Sequence, residues 1–371
     1  MKVKVYHHLD ELPDPYESLF ESAGEASFFH SRTWFHRLID ATSNAGDSLR
    51  LYGTEADDEH SYPTSLLVAH TCPARLGPIP QRVLESFSNF YTIKGGPVIG
   101  VENAEVDRDL THLVSKICSE RPRWDIVLLK ELDPDSVVFQ CLTAALRNSG
   151  MIVQPFFQYV RWFEEIEGRS FEDYIGDRGT AIRKKLQWKD RKIAKSDRFR
   201  YELITDETRL DEAISDYQKV YEHSWKEPET YPNFIPGLIR DCARLGSLRL
   251  GLMYLDGEPI ATQLTFLSGG TAFQYKMAYD EKILKILYTK NLSIGSIMLL
   301  RLMKHLINVD KIKVFDIGGG DEKFKLEWCT QHSENWGVMA FNSRTAMGLI
   351  NALRHVGGAF ASAAWRGILG R

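Results

Sequence analysis

The sequence predicts an α/β protein of mixed α+β sheets, divided into two domains, and three observations carry that prediction. Along the first third, short apolar runs of strand length alternate with amphipathic runs at helical spacing. Between residues 248 and 279, three strand-length runs are joined by Asp256-Gly257 and Gly269-Gly270, dipeptides suited to tight hairpins. The chain has 371 residues. A single core usually organises about 150, so two domains are expected.

In chain order, Ser65–His70 and Asp125–Lys130 read as buried strands and Ser136–Asn148 as a helix. Arg75–Gly100 holds Pro78, Pro80, Gly95, Gly96 and Pro97, so it reads as loop. Its Phe87, Phe90 and Tyr91 either pin a surface loop or line a cleft. A change of composition near Gly168 marks a boundary, giving domains 1–165 and 166–342 and a tail, 343–371. After Phe171–Ile175 comes Arg178–Arg200, with ten Lys or Arg and two acids, Asp190 and Asp197. Ile182, Leu186 and Ile193 fall at helical spacing there, so the cations occupy the other faces of an amphipathic helix. Such a helix is either a solvated face or a surface for a phosphate-rich partner: carrier nucleotide, tRNA or anionic lipid.

A strand at Tyr201–Ile204 is followed by helices at Leu210–Trp225 and Phe234–Leu245. Strands then follow at Leu248–Leu255, Glu258–Leu267 and Thr271–Tyr279. A helix carrying Ile297, Leu300, Met303 and Ile307 begins after Ser293, and a strand, Lys313–Ile317, runs into Gly318-Gly319-Gly320-Asp321.

The formal net charge of −4 excludes a generally cationic nucleic-acid binder, so any polyanion site is local. Five dispersed cysteines argue against a disulfide framework or a zinc knuckle. The eleven histidines form no ligand pattern, so no metal is implied. Met1–Asp10 lacks the apolar core of a secretory signal, and no run reaches the roughly 18 apolar residues of a membrane span, so a cytoplasmic protein is expected. Ser343–Arg371 has four arginines and no acids among apolar residues. It either lies peripherally on an anionic inner membrane or docks as a terminal helix.

Chemistry concentrates between Leu264 and Trp328. In Ser293-Ile294-Gly295-Ser296, small residues open a helix whose unpaired N–H groups and positive dipole end suit a pyrophosphate. Lys276 and Asp280 lie four apart on one strand and are expected to face the same side. They are either base and charge neutraliser or a surface ion pair. Asp316, ending an apolar strand, is a base, a ligand for the substrate amine, or a cap for the glycine turn. Lys325 either contacts phosphate or is solvated.

The ordered set Ser224-Trp225-Lys226, Asp256-Gly257-Glu258-Pro259-Ile260-Ala261, Lys276-Met277-Ala278-Tyr279-Asp280, Ser293-x-Gly295, Asp316-x-Gly318 and Phe324-Lys325-x-x-Trp328 resembles the CelD/BcsL-type N-acetyltransferases. These are GNAT relatives of the FemAB peptidyltransferases. The resemblance covers about residues 171–342, and Ser88–Thr92 with Gly96-Pro97 resembles the family's degenerate N-terminal half. It implies tandem GNAT-like domains, the C-terminal one binding acyl-CoA (acetyl-CoA) through Ser293, Gly295, Ser296 and Lys325. The implied catalytic candidates are Asp316, Asp280 and Lys276, and Trp225, Lys226 and Tyr91 are candidate contacts for a small-molecule amine acceptor. The implied reaction is N-acylation of an amino sugar, amino acid or nucleotide-linked precursor, as in surface-polysaccharide production. Aminoacyl-tRNA as donor and a non-catalytic scaffold of a membrane synthesis complex are the competing functions. Two departures stand out: Ile294 replaces the usual Pro, and Phe324 replaces a Tyr whose phenol can protonate a departing thiolate.

Overall fold

A computed structural model describes residues 2–43, 48–55, 62–76, 79–101, 103–288, 292–320 and 323–355. It divides into two compact units, the first ending at Tyr159 and resuming at Glu334, the second running from Val160 to Ser333.

In the first unit, β1 (Lys2–Tyr6) precedes α1 (Pro15–Ala26) and α2 (Arg32–Thr42). β2 (Ser48–Glu55), β3 (Ser65–Leu76) and β4 (Ile79–Ser86) follow as an antiparallel run, with short β5 (Val98–Ile99) beside β3. Next come α3 (Val106–Ser119), β6 (Ile126–Leu132), α4 (Val137–Asn148) and the start of β7 (Met151–Glu165). β6 pairs parallel with β4, Val83 opposite Ile126 through Glu85 opposite Leu128. Local chemistry sets the helix starts: the hydroxyls of Ser31 and Ser136 accept from Trp34 N at 3.1 Å and Phe139 N at 3.2 Å, capping α2 and α4. The expected loop at 75–100 is partly strand. Pro80 is tolerated in β4 because the β6 ladder covers only Val83–Glu85, so its missing N–H costs no bond on that side. Leu110, Leu113, Val127, Leu129, Leu142 and Leu146 form the core under α3 and α4.

The second unit holds α5 (Phe171–Asp177), α6 (Thr180–Ala194), β8 (Phe199–Ile204), α7 (Leu210–Glu222) and α8 (Phe234–Arg244). β9 (Leu248–Leu255), β10 (Glu258–Ser268) and β11 (Thr271–Tyr279) form an antiparallel run, then come α9 (Glu281–Tyr288), α10 (Ile294–Asn308) and β12 (Val314–Gly319). Asp256 at φ 53° and Gly257 at φ 89° make the expected hairpin turn, and Gly269 at 55° with Gly270 at 74° makes the next. α9 is an element that the sequence reading left as loop; Asp280 starts it by accepting from Ile283 N at 3.0 Å. β12 pairs parallel with β11, Thr271 opposite Val314 through Phe273 opposite Asp316.

The two units repeat one order: strand, two helices, three antiparallel strands, then a helical connection, of one helix in the first unit and two in the second, to a strand parallel to the third. The outermost strand of each is exchanged. β12 pairs with residues 161–165 of β7, whereas β6 pairs with residues 336–341 of β13 (Gln331–Asn342). The predicted division into 1–165, 166–342 and 343–371 therefore shifts, because sheet pairing puts 160–165 in the second unit and 334–342 in the first. In the tail, a helix at 346–355 docks on the first unit through buried Ala352 and Asn351, whose Nδ2 donates to Gln81 Oε1 at 3.1 Å. Residues 356–371 of the tail lie outside the described residues, as does Asp321. Among the described residues no helix is long and apolar enough to cross a membrane.

Candidate active site

The parallel ladder between β11 and β12 stops at Phe273 and Asp316. Beyond it the strands part. β11 continues to Tyr279 bonded only to β10, with a bulge at Tyr275 opposite the Leu264–Thr265 step, and β12 continues to Gly319 bonded only to β7. Parting strands leave an edge of backbone N–H groups without ladder partners. Beside this notch lies a cleft of about 690 Å³, lined on the strand side by Met277 and Tyr279 and on the helix side by Ser293–Ser296 and Leu299. Trp225, Glu281, Lys285, Leu292, Phe324 and Trp328 complete the lining.

The cleft therefore brings together four predicted residues: Ser293, Gly295, Ser296 and Trp225. Their local chemistry differs in part from expectation. Ser293 precedes α10 but its hydroxyl does not cap the helix; it accepts instead from Lys189 Nζ at 2.6 Å. The first turn of α10 carries no acid, so the dipole end and its free N–H groups meet a cation rather than a carboxylate. Gly295 is less constrained than predicted, since a Cβ there would meet Met277 Sδ at 3.5 Å, an ordinary contact.

Lys189 was not singled out by the sequence reading, yet it is the electrostatic anomaly of the site. Only 4% exposed, it makes no ion pair among the described residues, although the Glu327 carboxylate acts on it from a distance. Burial, with Lys185 nearby, pushes its pKa below the usual lysine value. The signal was present in the sequence: Leu186, Lys189 and Ile193 share the apolar stripe of α6, which places a lysine where a hydrophobe is expected.

The other predicted residues stand elsewhere. Asp316, 1% exposed, accepts from Arg161 Nη1 at 2.5 Å and from Gly318 N at 2.9 Å. Gly318 adopts φ 78°, so Asp316 is the cap of the glycine turn and the partner of a half-buried arginine, not an available base. Lys325 is buried, and its ammonium holds Gly319 O on the same turn. It is a brace within the turn rather than a solvated phosphate contact. Lys276 and Asp280 both face the segment after α7, but Lys276 binds Glu229 Oε1 at 2.8 Å and Asp280 lies 3.3 Å from His223 Nδ1 while capping α9. Trp225, half-exposed, packs on Tyr279 with ring centroids 4.2 Å apart, and Lys226 lies 5.6 Å over the Trp225 ring without lining the cleft. Tyr91 is buried in the first unit.

Tyr279 and Trp328 are lining residues whose O–H and indole N–H have no hydrogen-bond partner among the described residues. Burial raises the pKa of Tyr279 above the usual phenol value, so its O–H stays protonated. The Trp328 indole N–H is buried without an acceptor among the described residues.

The basic stretch is sorted by the fold. Arg178 is buried against Glu164, and Arg198 and Arg200 pair with Asp256 and Glu202. Lys184, Lys185, Arg191, Lys192 and Lys195 remain exposed around Trp188, which is 49% exposed beneath Lys192.

Residues 180–326, from α6 through the cleft to Leu326, match the family model described as an acetyltransferase (GNAT) domain. No curated protein matches the chain. Among solved structures, FemX is 12% identical with a TM-score of 0.60, over 91% of this chain and 97% of its own. A conserved protein of unknown function from Bacteroides thetaiotaomicron VPI-5482 is 12% identical with a TM-score of 0.55, over 91% and 99%. A tandem GNAT protein from the clavulanic acid biosynthesis pathway is 8% identical, covering 93% and 100%, with a TM-score of 0.48. The second unit thus contains a stretch similar to the GNAT acetyltransferase domain, and with the repeated strand order of the first unit the fold is tandem GNAT-like.

Proposed function

We propose that the second unit transfers an acyl group from acyl-CoA to a primary amine, with an amino sugar, amino acid or nucleotide-linked precursor as acceptor. The observation that carries this reading is Lys189, a buried lysine that makes no ion pair among the described residues, set against the uncapped N-terminus of α10. Two positive features facing one another are stabilised by an anion between them, and a pyrophosphate fits.

The fit extends along the cleft. Ser293, Gly295, Ser296 and Lys189 would hold the carrier phosphates, with Lys285 at the mouth. Met277, Leu299 and Phe324 offer apolar walls to the pantetheine arm, and the Trp328 N–H offers a donor to one of its amides. CoA supplies the thioester. The open edge of β11 beyond Phe273 offers N–H donors to the carbonyl oxygen as it gains charge. His223, held 3.3 Å from Asp280, takes a proton from the acceptor ammonium. The amine nitrogen then bonds to the thioester carbon, the C–S bond breaks, the thiolate takes its proton from Tyr279, and the proton that the nitrogen sheds as it becomes an amide restores the Tyr279 phenol. That assignment gives Tyr279 the role that Phe324 cannot fill.

Calorimetric titration of CoA tests the donor. Lys189→Met is expected to weaken binding at least about tenfold, equivalent to about 1.4 kcal/mol, while raising the melting temperature of the ligand-free protein by removing a buried charge. Unchanged affinity in that variant would overturn the assignment. The exposed cations around Trp188 favour a second reading, aminoacyl-tRNA as donor, since stacking and phosphate contacts together suit nucleic acid. Tight, salt-sensitive tRNA binding with no uptake of millimolar CoA would establish that reading instead. The same surface and the tail helix are the places where an anionic membrane would be met.

A further inference from the structure

We infer that His70, Cys72 and Glu85 form a Zn²⁺ site on the sheet of the first unit. Along the chain these residues form no ligand pattern, since His70 and Cys72 lie thirteen or more residues from Glu85. The strands supply the cluster instead. His70 and Cys72 are two apart on β3 and so project from one face. Glu85 of β4 stands directly opposite His70 in the antiparallel register.

The donor atoms converge. Cys72 Sγ is 3.6 Å from His70 Nε2 and 3.1 Å from Glu85 Oε2, and one ligand atom from each residue lies within 4.8 Å of the others. Tetrahedral Zn²⁺ with bonds of about 2.0–2.3 Å separates its ligands by about 3.5 Å, so the ion needs only small side-chain rotations. All three residues are half-buried, which leaves a solvent path and a fourth position for water.

The chemistry suits zinc in particular. Imidazole, thiolate and carboxylate are all accepted by this borderline cation, and hard Mg²⁺ or Ca²⁺ would reject the sulfur. On binding, the Cys72 thiol releases one proton, and thiolate plus carboxylate then cancel the two positive charges. Glu85 binds the metal through Oε2, while Oε1 keeps its ion pair with Lys130 of β6, an outer partner that orients the carboxylate. Around it, Cys72 packs on the apolar cluster of Val83, Ile126 and Phe341, which limits how far the sulfur can swing away.

The site is independent of the acyl-donor reading, so its test is too. The full chain is stripped with chelator and titrated with Co²⁺, whose thiolate charge-transfer band reports sulfur ligation, and then with Zn²⁺ in competition. One equivalent with the band present is expected. Cys72→Ser should abolish the band, and His70→Gln should weaken Zn²⁺ at least about tenfold, with unchanged melting temperatures in chelator showing that both variants fold. Cys118→Ser and Lys189→Met should leave the titration unaltered. Absence of the band in the unmodified protein, or its persistence in Cys72→Ser, overturns the site and leaves a thiol–carboxylate hydrogen bond in its place.

Discussion

In the first unit, the chain leaving β4 turns back toward the strand parallel to it. Gly95 N donates to Glu131 O at 2.7 Å, and His30 Nε2 meets Gly95 O at 3.2 Å. A Cβ on Gly95 would lie 2.6 Å from Lys130 O, so only glycine lets the backbone approach this closely. In the second unit the matching notch between β11 and β12 adjoins an open cleft. The helices that lead into the parallel strands β6 and β12 differ in the same sense. α3 has Asp107 and Asp109 in its first turn, and Asp109 is buried against Thr64 and Asn103; α10 has no acid there and meets Lys189. One topology has been closed with its own backbone and acids, and the other is left open, with Lys189 bonded behind Ser293 at the helix start. The arrangement of strands does not make a cleft; the residues around the notch do.

That contrast can be broken at several points. Asp316→Asn removes the charge that buried Asp316 sets against half-buried Arg161 and should cost about 2–4 kcal/mol, read as a lower denaturant midpoint. A stable but inactive variant would return Asp316 to catalysis. Tyr279→Phe should leave the melting temperature near that of the parent and lower kcat about 100-fold, and adding Phe324→Tyr should recover part of the loss. An unchanged kcat would remove Tyr279 from the proton path. Gly95→Ala should destabilise by about 1–3 kcal/mol, whereas Gly295→Ala should keep stability and weaken CoA binding, since its methyl enters the cleft. Equal stability losses in the two variants would mean that the notches do not differ as described. Smallest is the effect of acid. Burial lowers the His30 pKa to about 4, below the ordinary value of about 6.5. As pH falls the unfolded chain binds the proton first, so stability drops between pH 6.5 and 4. The full shift corresponds to about 3 kcal/mol, reduced to about 1–2 by partial exposure. His30→Gln, which stays neutral, should flatten that slope in pH-dependent denaturation.

Most of the second unit was legible in the sequence because local chemistry decides it. The strands Leu248–Leu255 and Thr271–Tyr279 were bounded correctly by Asp-Gly and Gly-Gly turns, whose positive φ values the dipeptides announce. The helix after Ser293 and its place beside a cleft were legible for the same reason. What escaped depends on distant pairing. β7 and β13 are given meaning by partners far along the chain, and α9 depends on Asp280 acting as a cap, a role identical in sequence to that of a base. Asp316 and Lys325 have the right chemical types for catalysis, but Arg161 and the carbonyl of Gly319 already use them. Residue type was visible in those cases, and prior engagement was not.

The exchanged outer strands have a consequence for how the protein can be made and divided. During synthesis the β6 edge of the first unit must wait until residues 336–341 emerge, after the whole second unit has been translated. A gene fragment cut at residue 166 would leave β12 without its β7 partner, exposing an unpaired edge that invites association with other chains. The modules of this protein are thus separable in topology but not by a single cut of the chain.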